Sequence, residues 1–252
     1  MRKLLVSLVA LGVLVAPSAA QQRGAAAQAP SKPAPRLPDG RPDLSGVWDG
    51  GGFNARALKP GETISMTPSA EQVFKRRQSA EGDPANEDPN LHCLPSGVPR
   101  MSPYPWRMIQ TPTHKAESHI FILFEGNIHS YRQIFMDGRK HPDDPDPTWY
   151  GHSIGKWEGN TLVVDTIGYN DKFWFDFLGH PHTEKLHTIE RFTRTNMDTL
   201  ELEVTIDDPG AYTKPFTILT RARLQPSDEL MEYICQENNT SVGRMRGPAR
   251  SP

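Results

Sequence analysis

Absences narrow the functional classes first. The sequence has no glycine-rich phosphate loop, no dinucleotide fingerprint, no HExxH pair and no internal repeat of fixed period, and it holds only two cysteines in 252 residues. Ordinary nucleotide enzymes and helix-borne zinc proteases are thereby excluded. Gly151-His152-Ser153-Ile154-Gly155 has the spacing of a nucleophile elbow, but it lies among strand-like runs, not between a parallel strand and a helix. Beyond the first twenty residues no apolar run is long enough to cross a membrane as a helix.

Those first residues have a composition of their own. Met1-Arg2-Lys3 is a positive n-region, and Leu4–Ala16 holds thirteen residues without charge, too few to span about 30 Å of hydrocarbon. Pro17 ends that run, and Ser18-Ala19-Ala20 places small residues before a cut at Ala20-Gln21. Residues 1–20 therefore read as a cleavable signal peptide, predicting a secreted or periplasmic protein with no membrane attachment after cleavage. Loss of Arg2 and Lys3 reduces 28 basic residues to 26 against 30 acidic ones, a formal charge of −4. That balance argues against nucleic acid as a partner and leaves a small-molecule substrate or ligand.

Residues 21–43 are rich in Ala, Pro, Gln and Arg and read as a disordered tether. A single domain of about 200 residues follows over 44–238, with 239–252 as a flexible tail. Within an oxidising compartment, Cys93 and Cys235 are expected to form a disulfide, worth about 4–5 kcal/mol in the chain-entropy model. Two separate buried thiols are the alternative.

Thr67-Pro68-Ser69 gives a cap and a first-turn proline for a helix running to about Glu81, with a narrow stripe of Ala70, Val73 and Phe74. From Trp106 the pattern becomes short β-branched and aromatic runs separated by turn residues. The runs are 106–111, 118–124, 128–136, 152–158, 161–167, 186–194, 199–206, 216–224 and 229–236, with 45–48 as a further edge. The fold is thus mainly β: an antiparallel meander closing into a lipocalin-like (calycin-type) barrel, with a β-sandwich as the alternative.

Strand register then sorts the polar side chains. A Gly159-Asn160 turn pairs Glu158 with Thr161 and Ile154 with Asp165, so His152 becomes a diagonal neighbour of Asp165 at about 7–8 Å between backbones. A histidine oriented by a carboxylate is a general base, a metal ligand or a surface pair. In the next hairpin a four-residue loop, 195–198, pairs Arg194 with Thr199 and Arg191 with Leu202. The face His187, Ile189, Arg191, Leu202, Val204, Ile206 is then the core side, opposite Thr188, Glu190, Phe192 and Glu201. An inward Arg191 needs an acid or a ligand anion, or acts as an internal Arg–carboxylate clamp. Upstream, His180, His182 and Glu184 lead into His187, and His182, Glu184 and His187 are donor types suited to a divalent metal such as zinc. A histidine-rich loop without metal is the other reading.

The stretches Gly151–Thr166, His182–Phe192 and Pro42–Trp48 together resemble a family of exported bacterial proteins that share PDLSGVW, GxSxGxWEGxTLVVDT and HTExLHxxERF segments. The resemblance covers nearly all of the chain after residue 20 and implies export. It implies no activity, cofactor or site residue.

Two functions remain open. One is a secreted lyase or hydrolase, acting on a carbohydrate or aromatic compound through a His/acid site at the barrel mouth, where Tyr150, His152, Asp165, His187 and Arg191 converge, with or without a metal. The other is a non-catalytic barrel that holds a small ligand inside. Aromatic residues such as Trp149, Tyr150 and Phe175 serve either, while the number of titratable groups favours the enzyme.

Overall fold

The computed structural model describes residues 31–52, 55–79, 87–100, 104–112, 117–126, 128–225, 227, 229–235 and 237. The expected signal peptide (1–20), the first part of the tether and the tail (239–252) lie outside them. Nine strands form the fold: β1 Gly46–Gly50, β2 Trp106–Pro112, β3 Glu117–Phe124, β4 Ser130–Phe135, β5 His152–Glu158, β6 Thr161–Ile167, β7 His187–Arg194, β8 Thr199–Asp207 and β9 Phe216–Leu224. They pair in chain order and close, β9 returning to β1 through Asp49↔Arg223. The protein is a barrel and not a sandwich.

One seam departs from the expected meander. β4 and β5 run parallel and pair only at Ile134↔Ser153 and Phe135↔Ile154. A tight hairpin cannot join parallel strands, so segment 136–151 carries the chain back along the outside before β5 begins. The short pairing leaves the seam open beyond Ile134, at the end where β4 starts.

Alternation in β6, β7 and β8 builds the interior. Leu162, Val164, Phe192, Leu200 and Leu202 join Trp48, Trp106, Met108 and Ile120 in one apolar cluster. Val204, Ile206, Tyr169, Phe173, Phe175 and Phe216 form a second towards the other end. Between the two lies a polar belt of Arg132, Ser153, Thr166, Thr188 and Glu190, all buried. Arg132 donates from Nε to Ser153 Oγ (3.0 Å), from Nη1 to Glu190 Oε1 (3.0 Å), and from Nη2 to Thr166 Oγ1 (2.9 Å) and Glu190 Oε2. Every polar arm of this guanidinium is satisfied, which is what makes so buried a charge tolerable.

Helix α1, Pro68–Gln78, lies close to the predicted span, and Thr67 caps it by accepting a hydrogen bond from Ala70 N. The disulfide Cys93–Cys235 is present, with Cα atoms 5.6 Å apart. Two expectations are corrected. The predicted strand 229–236 does not form among the described residues; 229–235 runs as an irregular strap, with Met231 N donating to Glu125 Oε2 and Tyr233 N to His129 Nε2. From residue 31 the tether is likewise tied down: Lys32 O accepts from Met197 N, Arg36 donates to Asn160, and the Arg41 guanidinium lies 5.6 Å from the Trp157 ring centre. These contacts reach the β7–β8 and β5–β6 turns, which a composition-based reading could not anticipate.

Candidate functional site

The β5–β6 hairpin has the register that the Gly159-Asn160 turn predicts, with Glu158↔Thr161, Ile154↔Asp165 and His152↔Ile167. Gly159 sits at φ +61°, which glycine adopts without strain. On the other side of β6, Thr166 pairs with Thr188, so His187 is also one pleat diagonal from Asp165. Asp165 therefore has a histidine on each flank, both on its own face of the sheet. His187 reaches it directly, Nε2 to Oδ1 at 2.9 Å.

The second link is supplied by a residue that strand patterning does not single out. His141, on the segment that returns the chain to β5, places Nε2 3.1 Å from Asp165 Oδ1 and Nδ1 2.9 Å from His152 Nδ1. The result is a continuous chain, His152–His141–Asp165–His187. An ionised carboxylate only accepts hydrogen bonds, so His141 and His187 must each donate from Nε2. A neutral His141 then accepts at Nδ1, so His152 donates from Nδ1. Its lone pair is left on Nε2, which makes no hydrogen bond among the described residues. Burial, His141 and Arg139 all push the His152 pKa below the ordinary histidine value, which keeps that lone pair available at neutral pH.

His152 also lines a groove of about 460 Å³ that opens at the β4–β5 seam. One wall is the outer face of β4 with Tyr131, Gln133 and Phe135; the other is the returning segment with Pro142, Asp146, Thr148, Trp149 and Tyr150. Gly151, at φ +65°, makes the bend between Tyr150 and His152; a Cβ there would lie 2.7 Å from Ile167 O. Tyr150 is a plug at the back of the groove: its ring stacks on Phe124 at 5.0 Å and its hydroxyl contacts Ser130 Oγ at 2.6 Å. Burial pushes its pKa up to about 12, so it stays a neutral phenol.

The expected residues are thus partly brought together. His152, Asp165 and His187 converge, but on the outer surface of the barrel, where Asp165 is 41 % exposed; Tyr150 does not join them and is held instead by Phe124 and Ser130. Arg191 does not join them either. Its Nη2 donates to Glu158 Oε2 at 2.8 Å in a surface ion pair. The cause is a one-residue slip in the predicted β7–β8 register. Arg194 pairs with Leu200 and Arg191 with Glu203, because Thr195 N bonds to Thr199 O and shortens the loop to 196–198. A slip of one exchanges the faces of one strand relative to the other. Thr188, Glu190, Phe192 and Arg194 are the inward set, and the internal Arg–carboxylate clamp is Arg132–Glu190.

His182, Glu184 and His187 do not form a ligand set. His182 is buried with its ring centre 3.8 Å from that of Phe173 and 5.1 Å from that of Phe175, and Glu184 is exposed. No three His, Cys, Asp or Glu side chains are placed to hold a metal ion among the described residues. His180 pairs instead with Asp176, Nδ1 to Oδ2 at 2.7 Å. Comparison with models of known families, with curated proteins and with solved structures finds no match to the chain.

Proposed function

We propose that the protein is an exported enzyme that transfers a proton on a small organic substrate, in lyase or hydrolase chemistry, with His152 as general base. The observation that carries this reading is the His152–His141–Asp165–His187 chain ending on an unengaged Nε2 at the wall of a groove. A substrate or water proton taken at Nε2 makes His152 an imidazolium. Its ring is held by the Nδ1 contact to His141, and Asp165 in turn holds His141 by accepting from Nε2, as it does His187. Asp165 and His187 are positioning residues; only His152 faces the groove. General-base catalysis of this kind contributes about 10²–10⁴-fold.

Export is supported by the signal-like first twenty residues and by the disulfide, which persists in oxidising compartments. A carrier with its ligand inside the barrel has less support, since two apolar clusters and the Arg132 belt occupy the interior. The test is a turnover screen of the secreted protein over glycosides, esters and β-elimination substrates, repeated with His152→Ala. The variant should lose about 10²–10⁴-fold in kcat/KM with an unchanged circular dichroism spectrum. Undiminished turnover in His152→Ala would remove the proposal, and binding without turnover across the screen would point to a receptor groove.

A further inference from the structure

The groove beside His152 has a chemistry of its own, which narrows the substrate class. We infer that it takes a neutral, polyhydroxylated ring, a saccharide unit, lying against its aromatic walls. The inference rests on the functional reading only for the word substrate; the recognition argument stands on the groove itself.

The walls are amphipathic in a particular way. Tyr131, 60 % exposed, stands on the β4 side, and Trp149 on the facing segment. The negative face of an aromatic ring attracts the weakly positive axial C–H groups of a pyranose. Between the aromatics lie Gln133, Asp146 and Thr148, whose amide, carboxylate and hydroxyl can each pair with a ring hydroxyl. A flat ligand without hydroxyls would strip water from these groups and leave them unpaired, a penalty that a polyol avoids. The volume, about 460 Å³, is that of a small-molecule site.

Charge decides against an anion. The guanidinium at the groove, Arg132, is held by Glu190, Ser153 and Thr166, and its charge is neutralised inside the barrel. Arg139, above the Phe135 ring at 3.8 Å, is paired with Asp137. The segment facing β4 reads His141-Pro142-Asp143-Asp144-Pro145-Asp146, three acids in six residues, which repels a carboxylate or phosphate.

The experiment is calorimetric titration of the disulfide-intact protein and of its His152→Ala variant, which removes the base and one lining ring but leaves Tyr131, Gln133 and Trp149 in place. The panel is cellobiose, maltose and xylobiose, with glucuronate, catechol and choline as the contrasting ligands. At least one neutral saccharide should bind both proteins, and Tyr131→Ala and Gln133→Ala should each weaken it at least tenfold with unchanged melting temperature. Tighter binding of glucuronate, catechol or choline, or no saccharide binding, overturns the inference. Saccharide binding without His152-dependent turnover removes the catalytic reading alone, whereas His152-dependent turnover of a non-sugar removes this inference alone.

Discussion

His182 shows how one side chain can set the acid limit of a fold. It lies against Phe173 and Phe175, its Nε2 has no hydrogen-bond partner among the described residues, and burial lowers its pKa from 6.5 to about 4. The folded state therefore resists a proton that the unfolded chain accepts. The stability associated with a neutral His182 is complete above pH 6.5, declines as pH falls below that value, and stops declining near pH 4, where both states are protonated. The loss is at most about 3 kcal/mol. His182→Phe preserves the ring stack and removes the titration, so its melting temperature should exceed that of the unaltered protein at pH 4.5 and converge with it near pH 8. Parallel pH curves for the two proteins would show that His182 does not carry the acid sensitivity. His152 gives the corresponding prediction for rate. A base works deprotonated, and its pKa is shifted down, so the acid limb of kcat/KM should lie below the ordinary histidine value of about 6.5. Replacing Arg139 with Gln, which removes one of the positive neighbours, should move that limb towards higher pH.

At the scale of the element, the polar belt has the most demanding energetics. Arg132 and Glu190 are each 1 % exposed and bonded to one another. Glu190→Gln leaves a buried guanidinium without its counter-charge and should lower unfolding stability by about 3–5 kcal/mol in a denaturant titration. The double change Arg132→Met with Glu190→Leu should recover most of that loss, since a packed apolar pair needs no compensation. A double variant as unstable as Glu190→Gln would mean that Ser153 and Thr166 depend on the pair for their own hydrogen bonds. Elements also explain which parts of the site were legible in the sequence. The Gly159-Asn160 turn fixes its hairpin, and from that register follow both the His152–Asp165 diagonal and the outer position of Lys156. The β7–β8 turn carries no such marker, and the choice between a three- and a four-residue loop reverses which residues face the core. Phe192 was the available signal: a large apolar side chain belongs with Leu202 and Val204, which selects the observed register. His141 gave no signal, because a histidine in a stretch of prolines and aspartates has no periodicity to place it. Arg132 lies on a strand whose inward residues alternate with Tyr131 and Gln133, and only the structure reveals Glu190 opposite.

At the scale of the whole molecule, the disulfide joins two segments that lie outside the strands and encloses eight of the nine strands, β2 to β9, in one covalent loop. Its two ends are anchored unequally. Cys93 follows the short turn Pro89–His92, and that segment is fixed by a buried bidentate pair in which Arg100 donates to Asp88 Oδ1 at 2.8 Å and Oδ2 at 2.7 Å. Cys235 ends a strap held besides by the Met231 and Tyr233 backbone amides and by the Tyr104–Tyr233 ring contact at 5.3 Å. A separation of 142 residues gives about 5 kcal/mol from loop entropy alone. That term acts on the unfolded chain, whereas the native barrel is closed by its own ladder from β9 to β1. Cys93→Ser with Cys235→Ser should therefore leave the β-sheet signal intact at 25 °C and lower the melting temperature by about 10–20 °C. Because the strap is the weaker anchor, hydrogen exchange in the double variant should rise at 229–235 while 87–100 keeps its protection. An unchanged melting temperature, or equal loss of protection at both ends, would assign the disulfide no structural role beyond the covalent bond itself.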